Sequence, residues 1–457
     1  MKINCQFSKL SFKAKPWLSV LARATLGNMP RSAFRLTGPL AMDGGAPVRD
    51  IRYRPWASDR DDNFLRWHGS VRALRRVLAS GVEGMPQPLA RQFAEKWAAY
   101  CGCRYGLLMS HGTDALRIAL AALLEHDGLD YGGEVIVPNY SYIGSATAPL
   151  DRRFGVAFVD VDPETLLLDP ACVEQAIIPG KTRAIMPVHL FGQPADMTAL
   201  RTIATKHGLK IVEDAAQAHG AVWQDGPVGS LGDAAGFSFQ HSKNLNCGEG
   251  GMLTTNDEEV FERAYSMHNA GRPRVGGGRW EHMVLGWNIR PTEYQATLLL
   301  HRFKHFDRRQ ALRRKNFDLL RNLMKEVGCL EPLAVHPGVR AHGSYMFAMR
   351  YKPHYCGDVS VDKFIELVQA EGAPVYRSFA ATMSDQPVMR SLMQKRPEYF
   401  RRLPTPIADQ AAKETVYIAQ NIFLGRPDDM EDIAAALKKV EKHCVKSGSY
   451  AGRAKRT

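Results

Sequence analysis

The sequence contains no apolar run of about 18 residues, the length that a membrane-spanning helix needs. Cysteine is sparse and irregular: eight are scattered over 457 residues, and Cys101 and Cys103 form only a C-x-C pair. A disulfide framework or a cysteine-based metal site is therefore not indicated, and we expect no metal. Reduced thiols in a cytoplasmic protein are the simpler interpretation.

The centre of the chain lacks excess charge, although the whole chain carries +13. Residues 1–42 hold seven Lys or Arg and no acid, and residues 438–457 hold seven against one acid, so the two ends carry the entire excess. A basic groove for nucleic acid is not indicated. We predict a basic disordered leader over residues 1–41 and a basic tail over residues 446–457; a targeting peptide or a later start codon are alternative interpretations of the leader.

Short apolar runs alternate with helical patterns from about Tyr105 to Asn256. The runs are GLLMS, EVIVP, FGVAFVDVD, RAIMPVHLF, LKIVED, AAGFSF and GMLTT. This alternation predicts a large α/β domain over residues 42–310, with an N-terminal arm and a mainly parallel seven-stranded sheet covered by helices on both faces. The following strand and helix patterns predict a smaller α+β domain over residues 311–445.

A lysine and an aspartate stand out within the predicted sheet. Lys243 lies in a glycine-rich loop after the strand that ends near Ser238, and the apolar strand of IVEDAAQAHG ends on Asp214. Pyridoxal phosphate needs an amine for its aldehyde and a carboxylate for its ring nitrogen, so this pair suits that cofactor. Taken singly, a loop lysine is usually solvated, and a strand-end aspartate is as often a metal ligand or a loop cap.

The turn before GTDALRIAL has the features of a phosphate site. The backbone N–H groups of Gly112, Thr113 and Asp114 lie at the positive end of the predicted helix. Ser238 can add a hydroxyl. Tyr142, in VPNYSY, supplies a ring that can stack on a flat cofactor, although a buried core tyrosine is the commoner explanation.

These segments occur in a characteristic order along the chain. They read HGTDAL, EVIVPNYSY, MPVHLFGQPADM, VEDAAQAHGA, VGSLGDAAGFSFQHSKNLNCGEGG and GWNIRPTEYQA. From about Leu40 to His443 the chain resembles the DegT/DnrJ/EryC1/StrS aminotransferases, the sugar aminotransferase group of fold type I pyridoxal-phosphate enzymes. The resemblance implies that fold, that cofactor and transamination.

The resemblance also implies roles for individual residues. Lys243 matches the Schiff-base lysine, Asp214 the partner of the pyridine nitrogen, and Gln217 a side chain near the ring and its phenolic oxygen. A dehydratase branch of the family carries histidine in place of the lysine. Because this chain has lysine there, transamination is favoured over dehydration.

Other matches place the cofactor's phosphate and a second subunit. Ser238 and the turn of residues 112–114 match the phosphate site, and Tyr142 matches the stacking aromatic residue. In GWNIR, Asn288 matches an asparagine that reaches the phosphate of the neighbouring subunit. The resemblance thus implies a homodimer with shared active sites.

Three residues bear on the substrate. In SYMF, Tyr345 stands where many nucleotide-sugar aminotransferases have histidine. SFQHSK, with Gln240, looks closer to the branch that acts on cyclitols and aminoglycoside precursors, or makes aminohydroxybenzoate, than to the branch with SFYPTK. His189, at a strand end, is either a substrate contact or a satisfied structural histidine.

We therefore predict a cytoplasmic aminotransferase that moves an amino group from L-glutamate or L-glutamine to a keto-sugar or keto-cyclitol. The products would serve amino-sugar, aminoglycoside-like or surface-polysaccharide biosynthesis. Alternatives are a dehydrating or aromatising enzyme similar to aminohydroxybenzoate synthase, and a noncatalytic regulatory protein of the same fold. A dinucleotide oxidoreductase, suggested by FVDVD, ranks last because no G-x-G-x-x-G turn precedes that strand.

Overall fold

The computed structural model describes residues 39–51, 64–278 and 280–447. The predicted leader and tail lie outside the described residues, apart from residues 39–41 and 446–447. The helices are α1 (Phe64–Ser80), α2 (Pro88–Tyr100), α3 (Gly112–Leu123), α4 (Gly144–Asp151), α5 (Pro170–Ala176), α6 (Met197–His207), α7 (Glu258–His268), α8 (Glu293–Phe303), α9 (Phe306–Leu323), α10 (Val361–Ala370), α11 (Pro387–Lys395), α12 (Pro406–Glu414) and α13 (Pro427–Ser447). Within these ranges, no helix has both the length and the apolar composition to cross a membrane.

The strands form one large sheet, one small sheet and a short hairpin. In chain order they are β1 (Tyr105–Met109), β2 (Glu134–Pro138), β3 (Gly155–Val159), β4 (Thr182–Ile185), β5 (Lys210–Asp214), β6 (Val222–Trp223), β7 (Gly226–Pro227), β8 (Ala234–Ser238), β9 (Gly251–Thr255), β10 (Leu330–Pro332), β11 (Met346–Tyr351), β12 (Tyr376–Arg377), β13 (Phe400–Arg402) and β14 (Thr415–Ala419). The large sheet has the order β1-β9-β8-β5-β4-β2-β3-β13. Only β9 runs antiparallel to its neighbours, so the predicted mainly parallel sheet is confirmed.

The large sheet contains eight strands, one more than the predicted seven. The seven predicted runs are all present, and β13 is added from far along the chain, with Phe400 opposite Val156 and Arg402 opposite Phe158. Two of the three residues of β13 are arginines, so the strand has no alternating apolar pattern. A short charged strand is a common way to end a sheet edge.

Helices cover both faces of this sheet. Successive residues of β2 belong to different buried clusters: Val135 and Val137 pack on one face, and Ile136 packs on the other. Side chains alternate across a strand, so a strand whose residues are all buried must be covered on both sides. This covering explains why the strands read as continuous apolar runs in the sequence.

The small sheet is antiparallel, with the order β10-β11-β14-β12. Phe347 and Ile418 from its strands pack against helices α9, α10 and α13 in one buried cluster. Leu40 and Val48, near the start of the described chain, also belong to this cluster, although the predicted domain division assigns Val48 to the large domain. The boundary at residue 310 remains a prediction, and α9 runs continuously across it.

Four strands of the large sheet end at the same edge. Because β9 is antiparallel to both β1 and β8, those two strands point the same way as β2 and β5. The chain leaves this edge after Met109, Pro138, Asp214 and Ser238. Ligands of open α/β sheets bind outside the carboxyl ends of the strands, so this edge is where a site is expected.

Candidate functional site

Lys243 lies in the loop between β8 and β9, and its side chain faces Tyr345, the residue just before β11 of the small sheet. Its backbone N–H donates to the carbonyl oxygen of Gln240 (2.9 Å), which turns the chain sharply after β8. Its Nζ lies 3.3 Å from the Oη atom of Tyr345 and 4.6 Å from the centre of that ring. Tyr345 is only 4% exposed. The amine is therefore held at a sheltered position beside the edge of the sheet.

Asp214 ends β5 as a buried carboxyl group, 6% exposed. Ser145, near the start of α4, donates to its Oδ2 atom (2.6 Å), and the N–H of Ala216 donates to its Oδ1 atom (3.2 Å). Burial raises the pKa of Asp214, while these hydrogen bonds and the charge of Lys243 lower it. A cation brought to this carboxylate would be strongly favoured, because a buried charge without a partner is costly. Ser145 is not among the residues predicted from the sequence, although its hydroxyl holds Asp214 in place.

The start of α3 approaches the end of β8 closely. A Cβ added at Gly112 would lie 2.7 Å from Cβ of Ser238, so only glycine fits here. His111 is the N-cap and makes no side-chain cap, which leaves the first N–H groups of the helix for a ligand,. The helix begins at Gly112, one residue before Thr113. Asp114 could offer a ligand only its N–H, because its carboxylate accepts from the Ser110 hydroxyl (2.7 Å) and from Arg117 (2.9 Å).

Two further predicted residues lie along this edge. The side-chain oxygen of Gln217 accepts from the N–H of Phe191 (2.9 Å), so its NH₂ group remains as the donor,. Tyr142 is 61% exposed and is not a core tyrosine. A Cβ on Gly144 would lie 3.1 Å from the Tyr142 ring and 3.2 Å from the Thr113 hydroxyl, so the ring lies beside the turn at the start of α3.

The structure supports a structural role for His189 and does not support a substrate contact. The ring is fully buried; its Nδ1 atom accepts from the N–H of Ala195 (3.0 Å), so its Nε2–H donates to Glu213 (2.9 Å). Glu213 also accepts from the N–H groups of Gly229, Leu231 and Gly232. Both nitrogens of the histidine are therefore used inside the protein.

Gln240 is engaged within its own loop. Its side-chain oxygen accepts from both the N–H (2.9 Å) and the hydroxyl (2.7 Å) of Ser242. The same hydroxyl lies 2.9 Å from the Oη atom of Tyr345. Gln240 and Tyr345, which the sequence analysis treats as possible substrate residues, are thus joined to each other next to Lys243.

Asn288 lies on an exposed part of the chain, beside a run of exposed apolar side chains. Within residues 275–285 these are Val275, Trp280, Met283, Val284 and Leu285. Trp280 is 69% exposed. Large apolar side chains grouped on a surface mark a contact with another molecule more often than scattered ones do.

Comparison with known proteins connects this site to a family. A model of the DegT/DnrJ/EryC1/StrS aminotransferase family matches residues 68–438. Among the relatives, the L-glutamine:2-deoxy-scyllo-inosose aminotransferase of Streptoalloteichus tenebrarius is 34% identical over 427 residues, covering 88% of this chain and 98% of the relative. The L-glutamine:scyllo-inosose aminotransferase of Streptomyces griseus is 34% identical over 418 residues, covering 88% and 97%.

Solved structures agree with the fold. The crystal structure of 3-amino-5-hydroxybenzoic acid synthase is 28% identical, with a TM-score of 0.73, over 82% of this chain and 97% of that one. An aminotransferase from Psychrobacter cryohalolentis is 27% identical, with a TM-score of 0.74, over 86% and 99%. The predicted fold class is therefore confirmed.

The raised pKa of Asp214 predicts how its replacement acts on the cofactor-free protein. A carboxyl group whose pKa is higher in the folded than in the unfolded state stabilises the fold at low pH, and this stability is lost as the pH rises through the interval between the two values,. We expect Asp214→Asn to raise the thermal midpoint of the cofactor-free protein at neutral pH, with the gap narrowing toward about pH 4, the ordinary pKa of aspartate. Differential scanning fluorimetry across pH measures this.

The control is Asp130→Asn, at an exposed acid, which should leave the midpoint almost unchanged. With pyridoxal phosphate added, the Asp214→Asn protein should have a lower midpoint than the unsubstituted protein, because the asparagine cannot neutralise the cationic ring nitrogen. A lower midpoint for the cofactor-free Asp214→Asn protein than for the unsubstituted protein at neutral pH would contradict the raised pKa of Asp214.

Proposed function

The chain belongs to the DegT/DnrJ/EryC1/StrS aminotransferase family, and we propose that it transfers the amino group of L-glutamine to a keto-cyclitol. It is a pyridoxal-phosphate-dependent aminotransferase, as the family and its solved members indicate. The observation that carries the proposal is the lysine–aspartate pair at the carboxyl edge of the large sheet, in a chain whose full-length relatives are named for this reaction.

The residues at this edge fit the cofactor. When bound, pyridoxal phosphate supplies an aldehyde for an amine and a cationic ring that withdraws electrons from the reacting carbon. The N–H groups of residues 112–114 and the hydroxyl of Ser238 would hold its phosphate, in a cradle that a Cβ on Gly112 would fill,. Asp214 would keep the ring nitrogen protonated, because a buried carboxylate favours a cation at that atom,.

The ring has two further neighbours in this arrangement. The side-chain oxygen of Gln217 accepts from the N–H of Phe191, so its NH₂ group is the end that would donate to the phenolic oxygen,. Tyr142 would lie against the face of the ring, where an exposed aromatic side chain beside the phosphate turn is well placed to stack,.

Lys243 has two tasks in this scheme. Its amine would attach the cofactor and would be released when the amino donor takes its place. The freed amine would then be the base that moves the proton between the α-carbon of the donor and C4′ of the cofactor. A histidine could not do the first task, so the lysine at this position supports transamination.

The names of the relatives support the donor and the acceptor. The S. tenebrarius and S. griseus proteins are each named for L-glutamine as donor and an inosose as acceptor. Identity to both exceeds the 28% identity to 3-amino-5-hydroxybenzoic acid synthase, the solved structure that represents the aromatising alternative. The keto-cyclitol is therefore the acceptor we propose.

We also propose a homodimer whose two active sites are shared. Asn288 is exposed in the single chain, next to the apolar side chains of residues 275–285. A second copy lying on this surface would remove the apolar side chains from water. It would also bring Asn288 toward the partner's phosphate site.

A cytoplasmic location suits the cysteines. All seven cysteines in the described ranges are free thiols, and six of them are buried. Such thiols stay reduced in the cytoplasm.

Replacement of Lys243 tests its assignment. We expect Lys243→Ala to lower turnover by more than about a thousandfold, within the range for loss of a positioned general base. The variant should still bind pyridoxal phosphate noncovalently, because the phosphate turn and Asp214 are intact. Turnover assays and absorption spectra measure both effects, with Lys206→Ala, at an exposed lysine of α6, as the control. Undiminished transamination by Lys243→Ala would overturn the assignment.

The donor and the acceptor can be tested separately. We expect the visible absorption of the bound cofactor to change when L-glutamine is added, because the cofactor then carries the amino group. Adding scyllo-inosose should restore the original absorption, and adding keto-sugar nucleotides should not. ¹⁵N-amino-labelled glutamine should transfer its label to the cyclitol, as mass spectrometry of the product would show. If only a keto-sugar nucleotide restored the absorption, the proposed acceptor would be wrong, but the assignment as an aminotransferase would stand.

Mixed dimers test whether the active sites are shared. Asn288→Ala and Lys243→Ala should each be poorly active alone. If Asn288 serves the partner's site, a dimer of the two variants contains one site with both natural residues, and activity should return when the chains are mixed. If Asn288 serves its own chain, every site in the mixture is defective, and mixing restores nothing.

A further inference from the structure

A line of hydrogen bonds leads from Gln240 to the amine of Lys243. The Ser242 hydroxyl lies 2.7 Å from the Gln240 side-chain oxygen and 2.9 Å from the Tyr345 hydroxyl. That phenolic oxygen lies 3.3 Å from the Lys243 amine. Three of the four residues belong to one loop of the large sheet, and the fourth lies just before β11.

The direction of this line is set at Gln240. The N–H of Ser242 donates to its side-chain oxygen at 2.9 Å, and a backbone N–H is always a donor, so the atom there is the amide oxygen,. The NH₂ group of the same amide faces the ring of His241. Since an amide oxygen carries no proton, the Ser242 hydroxyl must donate to it.

The remaining protons then have only one consistent arrangement. With its own proton on Gln240, Ser242 can only accept from the Tyr345 hydroxyl,. The phenolic proton therefore points at Ser242 and away from Lys243. The Lys243 amine faces an oxygen lone pair and is the donor in the last contact.

The burial of Tyr345 makes the direction of these hydrogen bonds important for Lys243. Tyr345 is almost inaccessible to water, so its hydrogen bonds are strong and are not easily exchanged for water,. If the phenolic proton pointed at Lys243, it would bind the lone pair of the neutral amine. That lone pair is what attacks the aldehyde of the cofactor and takes the proton from the donor.

We propose that Gln240, Ser242 and Tyr345 are positioning residues that turn the phenolic proton away from Lys243 and keep the amine's lone pair free. Tyr345 also fixes where the amine lies, by accepting one of its protons and placing the ring beneath it,. This inference rests on the proposed function, because it assumes that Lys243 is the reacting amine. It gives Gln240 and Tyr345 the role of positioning Lys243, in place of a role in contacting the substrate.

The test follows the attachment of pyridoxal phosphate to the cofactor-free protein, with no donor or acceptor present. In this step the amine nitrogen bonds to the aldehyde carbon, and the aldehyde oxygen leaves as water. Stopped-flow absorbance gives its rate, and mass spectrometry after borohydride reduction shows whether Lys243 carries the cofactor. Tyr345→Phe and Ser242→Ala should each slow attachment about tenfold, the effect of one lost hydrogen bond in a transition state.

Ser242→Thr is the matched control, because it keeps the hydroxyl. Its rate should lie close to that of the unsubstituted protein. Equal slowing by Ser242→Thr and Ser242→Ala would show that packing, and not the hydroxyl, matters, which would overturn the proposal.

A double-mutant cycle separates the proposed line from a role of Gln240 in shaping its loop. In the unsubstituted protein, Gln240→Leu should slow attachment, because the Ser242 proton is freed to reach Tyr345 and the phenolic proton turns to Lys243. In a Tyr345→Phe background there is no phenolic proton, so Gln240→Leu should add little. The same slowing in both backgrounds, or none in either, would overturn the proposal.

These measurements are independent of the substrates. A protein that fails to aminate scyllo-inosose but shows the expected rates of attachment refutes the proposed acceptor and keeps the positioning role. If borohydride traps the cofactor on another lysine, the assignment of Lys243 fails, and the positioning role fails with it.

Discussion

The buried carboxyl group of Asp214 imposes the main constraint on this structure. Burial raises its pKa, because the charged form loses its hydration, and a cation brought to the carboxylate would offset that cost,. The surrounding chain supplies two donors to it, from Ser145 and Ala216. Under the proposed function, the cationic ring of pyridoxal phosphate would meet that demand. Its other end would then lie near Lys243 and the turn of residues 112–114.

The local parts of the fold could be predicted because their signals lie within a few residues. Thr292 and Gln295, only three positions apart, form the capping box of α8, and the side chain of Asp196 accepts from the N–H of Ala199 at the start of α6,. Strand β13 could not be predicted in the same way. Its pairing with β3 joins residues more than two hundred positions apart, and its arginines show no strand pattern. The packing of Leu40 and Val48 on the small sheet's core is equally distant in sequence.

The candidate site divides along similar lines. Lys243, Asp214 and the glycine turn were recognisable because their residue types and their places after strands suggest chemistry. Ser145 was not, since a serine near the start of a helix is ordinary and its contact with Asp214 spans 69 positions. His189 is a residue for which the sequence left two interpretations open. A histidine at a strand end suits a substrate contact or a structural role, and here its Nε2–H donates to the buried carboxylate of Glu213, which lies on β5.

The position of Tyr345 over Lys243 depends on how the small sheet's segment is fastened to the large one. The N–H of Gly343 donates to the carbonyl oxygen of Gly192 (2.7 Å), and its own carbonyl accepts from Asn244 and Gln310 (each 2.6 Å). A Cβ on Gly343 would lie 3.0 Å from that Gly192 oxygen, so the approach favours glycine.

Asn244 follows Lys243 in the chain, and Gly192 follows the residue whose N–H orients Gln217. One glycine therefore links the lysine loop, the loop that sets Gln217 and the segment that carries Tyr345. A shift at this junction would move all three groups relative to the ring of the cofactor. The position of the Lys243 amine is thus a property of the contact between the two sheets, and the lysine loop alone does not determine it.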